Sequence, residues 1–582
     1  MTYLDRINAP QDLKKFSIHE MNGLADEIRQ AILNRDSMIG GHVGPNLGIV
    51  EATIALHYVF DSPKDKIVYD VSHQSYPHKL LTGRKNGFLT KEGMSVISGY
   101  TNPAESEHDF FKVGHTSTSV SLACGLAKAR DLKSEKHNVI ALIGDGSLSG
   151  GEALEGFSNA AVLNSNIIIV VNDNEMSIAE NHGGLYNNLR LLRETKGTAE
   201  CNMFKALGFD YLYVEDGNSL ESLIAAFKQV KDTPRPTVVH IRTLKGKGYK
   251  PAEENKERWH WNVPFEIESG KAKIDMSGEN YNDITYDYLI DKIAKDKTVV
   301  AVNAGTPGAV GLTPERRAKL GQNFVDVGIA EEHAVAFSSA LAKGGCKPVY
   351  MVLSSFIQRA YDQLSQDLAI NNNPAVILVS WAGISSADVT HLGCFDIAMI
   401  SNIPNIVYLA PTSKEEYLSM LDWAVDQNEH PVVIRIPSVV THSASAVEKN
   451  YGALNRYQIA QKGSQVALIA AGSFFGLGQQ VADRLKEKGI NATLINPRYL
   501  SGIDENVLDE LRSNHSLVAT LEDGIVNGGF GEKIASFYGT SAMKVLNFGA
   551  KKEFTDRTPL DEIYQHNHLT VEQIVADITK NI

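Results

Sequence analysis

The segment from Asn138 to Asn181, NVIALIGDGSLSGGEALEGFSNAAVLNSNIIIVVNDNEMSIAEN, constrains the fold more than any other stretch. Val139 to Ile143 is a short apolar run rich in β-branched residues, the pattern of a buried strand. Gly144-Asp145-Gly146 follows, then a helical span from about Leu148 to Leu163. A second apolar run, Ile167 to Val171, ends in Asn172-Asp173-Asn174. This is a β-α-β unit, and such units join parallel strands by a right-handed crossover. Parallel strands end on the same edge, so Asp145 and Asn174 emerge side by side. One carboxylate, one amide oxygen and a nearby backbone carbonyl form a hard-oxygen site suited to a Mg²⁺ that takes further ligands from a bound phosphate. The glycines let the backbone approach that phosphate closely.

The 582 residues are enough for three or four domains, and the formal net charge of −13 argues against a general nucleic-acid surface. The four cysteines, Cys124, Cys201, Cys346 and Cys394, are far apart and contain no C-x-x-C pair. They are expected to be reduced, buried packing residues of a cytoplasmic protein. The N-terminus carries no apolar signal region, and no apolar run approaches the span of a bilayer, so neither secretion nor a membrane is expected.

Three further loops concentrate polar chemistry. After a helical stretch from about Leu13 to Asn34, Gly40-Gly41-His42-Val43-Gly44-Pro45-Asn46-Leu47-Gly48 leads into a helix from Val50 to Tyr58. The strand Val68 to Val71 opens into Ser72-His73-Gln74-Ser75-Tyr76-Pro77-His78-Lys79. Val113-Gly114-His115-Thr116-Ser117-Thr118-Ser119 precedes an alanine-rich helix. A histidine in any one loop carries no function by itself. Hydroxyls and backbone donors at a helix start suit a phosphate or a substrate hydroxyl, or simply cap the helix.

Gly144-Asp145-Gly146 with Asn174 about thirty residues on is similar to the thiamine-diphosphate signature. GGHVGPNLGIVEATIALHYVF, VYDVSHQSYPHKLLTG, VGHTSTSVSLACGLA and NDNEMSIAEN resemble the 1-deoxy-D-xylulose-5-phosphate synthase family of the transketolase superfamily, over nearly the whole chain. The resemblance implies thiamine diphosphate and Mg²⁺ as cofactors. The metal falls to Asp145, Asn174 and Met176, and the diphosphate side to His73, Gly114, His115, Thr116, Gly144, Gly146, Ser147 and Lys245. Lys245 lies in Lys245-Gly246-Lys247-Gly248-Tyr249, which lacks P-loop spacing. His260, in Trp259-His260-Trp261, stands where the family has a histidine. The segment after Asn181 is shorter than the family's insertion, so whatever that insertion covers is expected to be more open.

In the second part of the chain, Gly328-Ile329-Ala330-Glu331-Glu332-His333-Ala334-Val335 resembles the family's GIAEQHAV. The resemblance gives Glu331 the pyrimidine ring of the cofactor, and burial would keep its carboxyl protonated as a hydrogen-bond donor. Phe356 is implied to lie against the same ring, and Arg359, Asp388 and His391 to face the substrate. Two departures stand out. Trp381 and Ser438 occupy positions where the family has arginines that hold the acceptor's phosphate, and neither can form bidentate, charge-assisted bonds. Leu353 also replaces a family tyrosine.

The expected fold is α/β, with three transketolase-like domains of mainly parallel sheets. The domains are 1–283 (diphosphate and metal), 284–445 (pyrimidine) and 446–582 (C-terminal), with linkers near Ser269–Asp283 and Thr441–Gln458. Core strands are expected at Tyr211–Val214, Thr237–Ile241, Thr298–Val302, Val349–Leu353, Ala375–Val379, Val466–Ala470, Ala492–Ile495, Leu517–Leu521 and Lys544–Leu546. Glu522 and Asp523 are read as structural. The implied reaction, of isoprenoid biosynthesis, decarboxylates pyruvate and joins the two-carbon unit to an aldehyde such as D-glyceraldehyde 3-phosphate. Glu331, His42, His73, His260, His391 and Asp388 are the catalytic candidates. The alternatives are a related ketol or acyl transferase with another donor or an unphosphorylated acceptor, and a binding protein of low turnover. Small-molecule keto acid and aldehyde substrates and a homodimer are expected, with no nucleic-acid partner.

Overall fold

The computed structural model describes residues 2–275, 277–443 and 446–582. The chain divides into two compact units, residues 1–277 with 328–330, and residues 278–327 with 331–582.

The first unit is built on five parallel strands, β1 (Lys66–Tyr69), β2 (Val139–Gly144), β3 (Ile168–Asp173), β4 (Asp210–Val214) and β5 (Thr237–Arg242), in the order β1-β2-β3-β5-β4. Both faces are covered, which explains the unbroken apolar runs. Ile140 and Leu142 of β2 and Ile168 and Val170 of β3 enter one core. Val139, Ala141 and Ile143, with Ile169 and Val171, enter the core on the opposite face. Each such side chain, fully buried, contributes about 1.5–3 kcal/mol.

The second unit holds two sheets. The first has six parallel strands, β6 (Val299–Asn303), β7 (Phe324–Asp326), β8 (Lys347–Leu353), β9 (Val376–Ser380), β10 (Val407–Leu409) and β11 (Val432–Arg435), ordered β10-β11-β9-β8-β6-β7. The other comprises β12 (Gln458–Gln461), β13 (Gln465–Ala470), β14 (Thr493–Asn496), β15 (His515–Ile525) and β16 (Lys544–Ala550), ordered β12-β14-β13-β15-β16, with only β12 antiparallel. One apolar core runs through both, with Tyr350 and Val352 of β8 and Ala467 and Ile469 of β13.

Several sequence expectations need correction. The first long helix is Ile18–Ile39, not Leu13–Asn34. Ser17 and Glu20 form a capping box there, and Pro10–Lys15 is a separate 3₁₀ turn. The helix after Gly146 begins at Gly151, after a 3₁₀ turn over Asp145–Ser149. The linker assigned to Ser269–Asp283 ends early. Asn280 caps a helix over Tyr281–Lys295, so Thr285 lies inside that helix. Gln458, the assigned end of the second linker, opens β12. Cys201 is exposed rather than packed, and Cys124 and Cys346 are only partly covered. Among the described residues, no helix is long and apolar enough to cross a membrane.

Candidate active site

In the first unit, four neighbouring parallel strands deliver site residues at their C-terminal ends, where ligands of open α/β sheets bind. β1 leads to His73, β2 to Asp145, β3 to Asn174 and β5 to Lys245. The register pairs Gly144 with Asn172, which brings Asp145 to the strand edge level with Asp173, one residue before Asn174. Backbone strain gathers on this edge. Val71, Ser72, Ser117 and Glu175 have φ of 48°, 58°, 79° and 65°, values that bulky residues rarely adopt.

His42, His73 and His260 come together. Ring centroids lie 4.9 Å apart for His42–His73, 5.6 Å for His42–His260 and 5.1 Å for the stacked pair His73–His260. Backbone bonds between Gly41 and Asn262, both 2.9 Å, and from Gly44 N–H to the Trp259 carbonyl, 2.7 Å, bring residue 260 to the His42 turn. Gly41 has to be glycine there, because a Cβ would fall 2.5 Å from Asp36 Oδ1 and φ is 155°. Lys245 is buried. Its Nζ donates to the Ser177 carbonyl at 2.6 Å and lies 3.1 Å from His260 Nδ1. Desolvation pushes Lys245 down to about 7. Desolvation and then the Lys245 charge hold His260 well below its usual value, which keeps the ring neutral.

Around Asp145 the polar groups separate into used and unused. Asn172 Oδ1 accepts from Thr243, and Asp173 accepts from His240 and Arg193. Asn174 Oδ1 is shut from solvent and accepts no hydrogen bond, as are Ser177 Oγ and Asn181 Oδ1. Asp145 is buried and accepts from Asn181 Nδ2 at 2.7 Å. Desolvation, then the nearby Asp173 charge, lifts its carboxyl to about 8. A buried carboxylate and an orphaned amide oxygen on adjacent strand ends fit a hard cation, and Met176 lies two residues beyond Asn174. Among the described residues, no cluster of three or more His, Cys, Asp and Glu could hold a metal ion. A Cβ on Gly146 would meet Ser177 Oγ at 2.7 Å, whereas one on Gly144 would point into open space. Ser147 is buried, and its carbonyl accepts from Ser117 Oγ at 2.8 Å. In the loop of Gly114, His115 and Thr116, the Ser117 and Ser119 N–H groups are committed to the buried Asp70 carboxylate at 2.8 and 3.0 Å.

Sequence reasoning missed Asn46. It is fully buried, and its amide donates to the carbonyls of His42 and His73, both at 2.7 Å, while Oδ1 accepts from Tyr76 N–H at 2.9 Å. It also missed Asn181 and Tyr186, whose hydroxyl donates to the Asp145 and Gly146 carbonyls. Asn181 was within reach, since it closes the NDNEMSIAEN segment.

In the second unit, Glu331 opens a helix over Glu331–Lys343 and is buried. Arg359 Nη1 lies 3.2 Å from its Oε2. Desolvation still outweighs the guanidinium and raises the carboxyl. Phe356, Trp381 and Ser438 follow β8, β9 and β11, which are consecutive in the sheet. Phe356 packs edge-on to His391, centroids 5.7 Å apart. Asp388 Oδ1 accepts from Thr390 N–H and Oγ1–H, and Thr390 Oγ1 lies 2.8 Å from His391 Nδ1. With its proton on Asp388, the Thr390 hydroxyl accepts Nδ1–H, leaving Nε2 as the basic nitrogen of His391. Desolvation lowers the His391 pKa. Trp381 is 65 % exposed, with φ 54°, and Ser438 is exposed. Arg435 is locked on Asp396 at 2.7 Å and on the Asp523 carbonyl at 2.6 Å.

Family models match three stretches. The 1-deoxy-D-xylulose-5-phosphate synthase model covers residues 4–202 and 190–243, the transketolase pyrimidine-binding domain 280–440, and the transketolase C-terminal domain 455–574. A 1-deoxy-D-xylulose-5-phosphate synthase from Brevibacillus brevis is 37% identical over 99% of this chain and 98% of its own length. That of Lachnoclostridium phytofermentans is 38% identical over 99% and 98%, and that of Heliobacterium modesticaldum 39% over 91% and 88%. The parallel sheets and the matched domains define a transketolase-type transferase, a class that uses thiamine diphosphate with a divalent metal. The chain belongs to the 1-deoxy-D-xylulose-5-phosphate synthase family.

Proposed function

We propose that this chain decarboxylates pyruvate and joins the remaining two carbons to the carbonyl of an aldehyde, D-glyceraldehyde 3-phosphate in the first instance, with release of CO₂. The observation that carries this reading is the convergence of His42, His73 and His260, with the buried Lys245 against His260. Such a cluster of imidazoles binds hydroxyls and moves protons. Thiamine diphosphate, when bound, supplies the carbon nucleophile and electron sink. Asp145, Asn174 and the Met176 carbonyl hold Mg²⁺. His73, Gly114, His115, Thr116, Gly144, Gly146, Ser147 and Lys245 hold the diphosphate side. Glu331 donates a hydrogen bond to the pyrimidine from its protonated carboxyl, with Phe356 against the ring. Asp388, His391 and Arg359 serve the substrate, and His391 Nε2 takes or returns a proton. The first domain ends before the helix that Asn280 caps, the second near residue 445, and the third runs to the end of the chain. The four free thiols suit a cytoplasmic protein, and the working form is a homodimer.

Incubation with thiamine diphosphate, Mg²⁺, pyruvate and D-glyceraldehyde 3-phosphate should release CO₂ and yield deoxyxylulose phosphate. No CO₂ with any aldehyde would overturn the reading. A second reading, an acceptor without a terminal phosphate, is favoured by one observation. An exposed, backbone-strained indole at Trp381 and a hydroxyl at Ser438 follow neighbouring strands, and neither offers a phosphate a positive charge.

A further inference from the structure

We infer that Asp523, in the C-terminal sheet, is a positioning residue for the substrate-side loop 383–393, which carries Asp388 and His391. The inference rests on the proposed function for the role of those two residues. The base of the loop is closed by Gly383 N–H donating to the Gly393 carbonyl at 3.0 Å, and Ser354 Oγ donates to that same carbonyl at 2.8 Å. Both glycines are sterically required. A Cβ on Gly393 would sit 2.1 Å from the Trp381 carbonyl oxygen, and one on Gly383, at φ 110°, 2.2 Å from Asp523 Oδ2. The Asp523 carboxylate therefore occupies the space a side chain at 383 would need.

From there it holds the first residue inside the loop, accepting the Ile384 N–H on Oδ1 at 2.8 Å. Its other oxygen accepts from Ser473 Oγ at 2.7 Å and lies 3.7 Å from Arg435 Nη1. Arg435 is itself fixed by Asp396 and by the Asp523 carbonyl. The carboxylate is thus immobilised before it meets the loop. Residues of the same C-terminal region hold the loop further along. Arg557 N–H donates to the Ala387 carbonyl at 2.9 Å, and Val389 N–H donates to Asp556 Oδ1 at 3.4 Å. Beyond the loop, Ile525 N–H donates to the Cys394 carbonyl at 3.1 Å. A domain to which the sequence assigns no chemistry thereby sets the place of Asp388 and His391.

Trp381, just before the loop and largely exposed, reports on it. In the holoenzyme, acrylamide quenching attributed to Trp381, by difference from Trp381→Phe, should rise at least twofold in Asp523→Ala. In the same variant kcat should fall tenfold or more. Asp523→Asn, which keeps an acceptor for Ile384 N–H, should bring kcat back to within about threefold of wild type and the quenching back to the wild-type value. An Asp523→Ala protein with a wild-type melting curve, unchanged quenching and unchanged kcat would overturn the inference. Raised quenching with unchanged kcat and KM would uphold the positioning of the loop and overturn the assignment of Asp388 and His391. If Asp523→Ala does not fold, Gly383→Ala displaces the loop from an intact Asp523, and unchanged quenching there overturns the inference.

Discussion

The Asn46 side chain donates one amide hydrogen to the His73 carbonyl at 2.7 Å and the other to the His42 carbonyl at the same distance. One buried amide thereby fixes the spacing of two loops whose imidazoles lie 4.9 Å apart. Asn46→Asp keeps size and acceptor but loses both donors and sets a carboxylate against two carbonyls. Leaving two buried acceptors unsatisfied costs roughly 2–6 kcal/mol, to be read from urea unfolding. The turnover of the proposed reaction should fall more steeply than the KM for thiamine diphosphate rises, because the spacing of His42 and His73 is lost while, of the cofactor-holding residues, only His73 moves. Equal effects on all constants would mean that Asn46 serves stability alone.

Asn174 makes the opposite prediction. Its Oδ1 has no partner within the protein, so Asn174→Ala should leave the melting temperature of the metal-free, cofactor-free protein almost unchanged. Wild-type protein in Mg²⁺ and thiamine diphosphate at a hundred times the dissociation constant should gain about 2.7 kcal/mol, and the variant should lose most of that gain. Chelation by EDTA should return the wild type to the variant's curve. A variant stabilised as strongly as the wild type would remove Asn174 from the ligand set.

These two asparagines mark what a sequence can and cannot disclose. Asn174 was legible because it ends an apolar strand at a fixed distance from Gly144-Asp145-Gly146, and both features are local. The strands were legible for a similar reason, since burial on both faces leaves unbroken apolar runs such as Val139–Ile143. Asn46 was not, because its partners include His73, on a strand end brought near only by the tertiary fold. The left-handed backbone at Trp381 was equally hidden, as no turn residue announces it. Ser17-Ile18-His19-Glu20 does spell out the capping box that starts the first long helix at Ile18 rather than at Leu13.

Acid should destabilise the first unit through a buried relay outside the active-site cluster. His57 Nε2 and His78 Nδ1 are 2.8 Å apart, and His78 Nε2 lies 2.8 Å from Asp109 Oδ1; Arg84 donates one further bond to each Asp109 oxygen. Burial lowers His78 to about 4 and His57 well below the usual 6.5. The unfolded chain therefore binds more protons in this window, so stability is full above pH 6.5 and is lost as pH falls from 6.5 toward 4. Two such histidines give a slope of up to about 2.7 kcal/mol per pH unit. Asp109, held low by His78 and Arg84 against its own burial, adds a loss of the same sign below the ordinary carboxylate range. Replacing His57 with Phe should flatten the slope of urea-unfolding free energy against pH by about one proton. An unchanged slope would show that His57 is not held neutral.

The substrate-side departures lead to the last prediction. β9 and β11 are parallel neighbours, with Arg435 opposite Val379 and Ile436 N–H bonded to the Val379 carbonyl. Trp381 and Ser438 therefore leave the same edge of the sheet two and three residues beyond that pair. Arg435 cannot substitute for a missing cation there, because its charge is spent on Asp396 and Asp523. Charge-assisted hydrogen bonds to a phosphate are worth roughly 1.5–3 kcal/mol each. The double variant Trp381→Arg, Ser438→Arg should then raise kcat/KM for D-glyceraldehyde 3-phosphate relative to D-glyceraldehyde by about tenfold to a thousandfold, since part of that energy is lost to ordering two long side chains. The measurement is the ratio of the two constants at fixed pyruvate, which cancels any general damage to the cofactor site. Trp381→Gly separates strain from charge. It relieves a left-handed backbone that costs an L-residue about 1–2 kcal/mol, so it should raise the melting temperature or leave it unchanged, and it should not move the acceptor ratio toward the phosphate. A double variant whose ratio stays at the wild-type value would mean that the acceptor's far end does not reach this edge of the sheet, and the second reading of the substrate would lose its support.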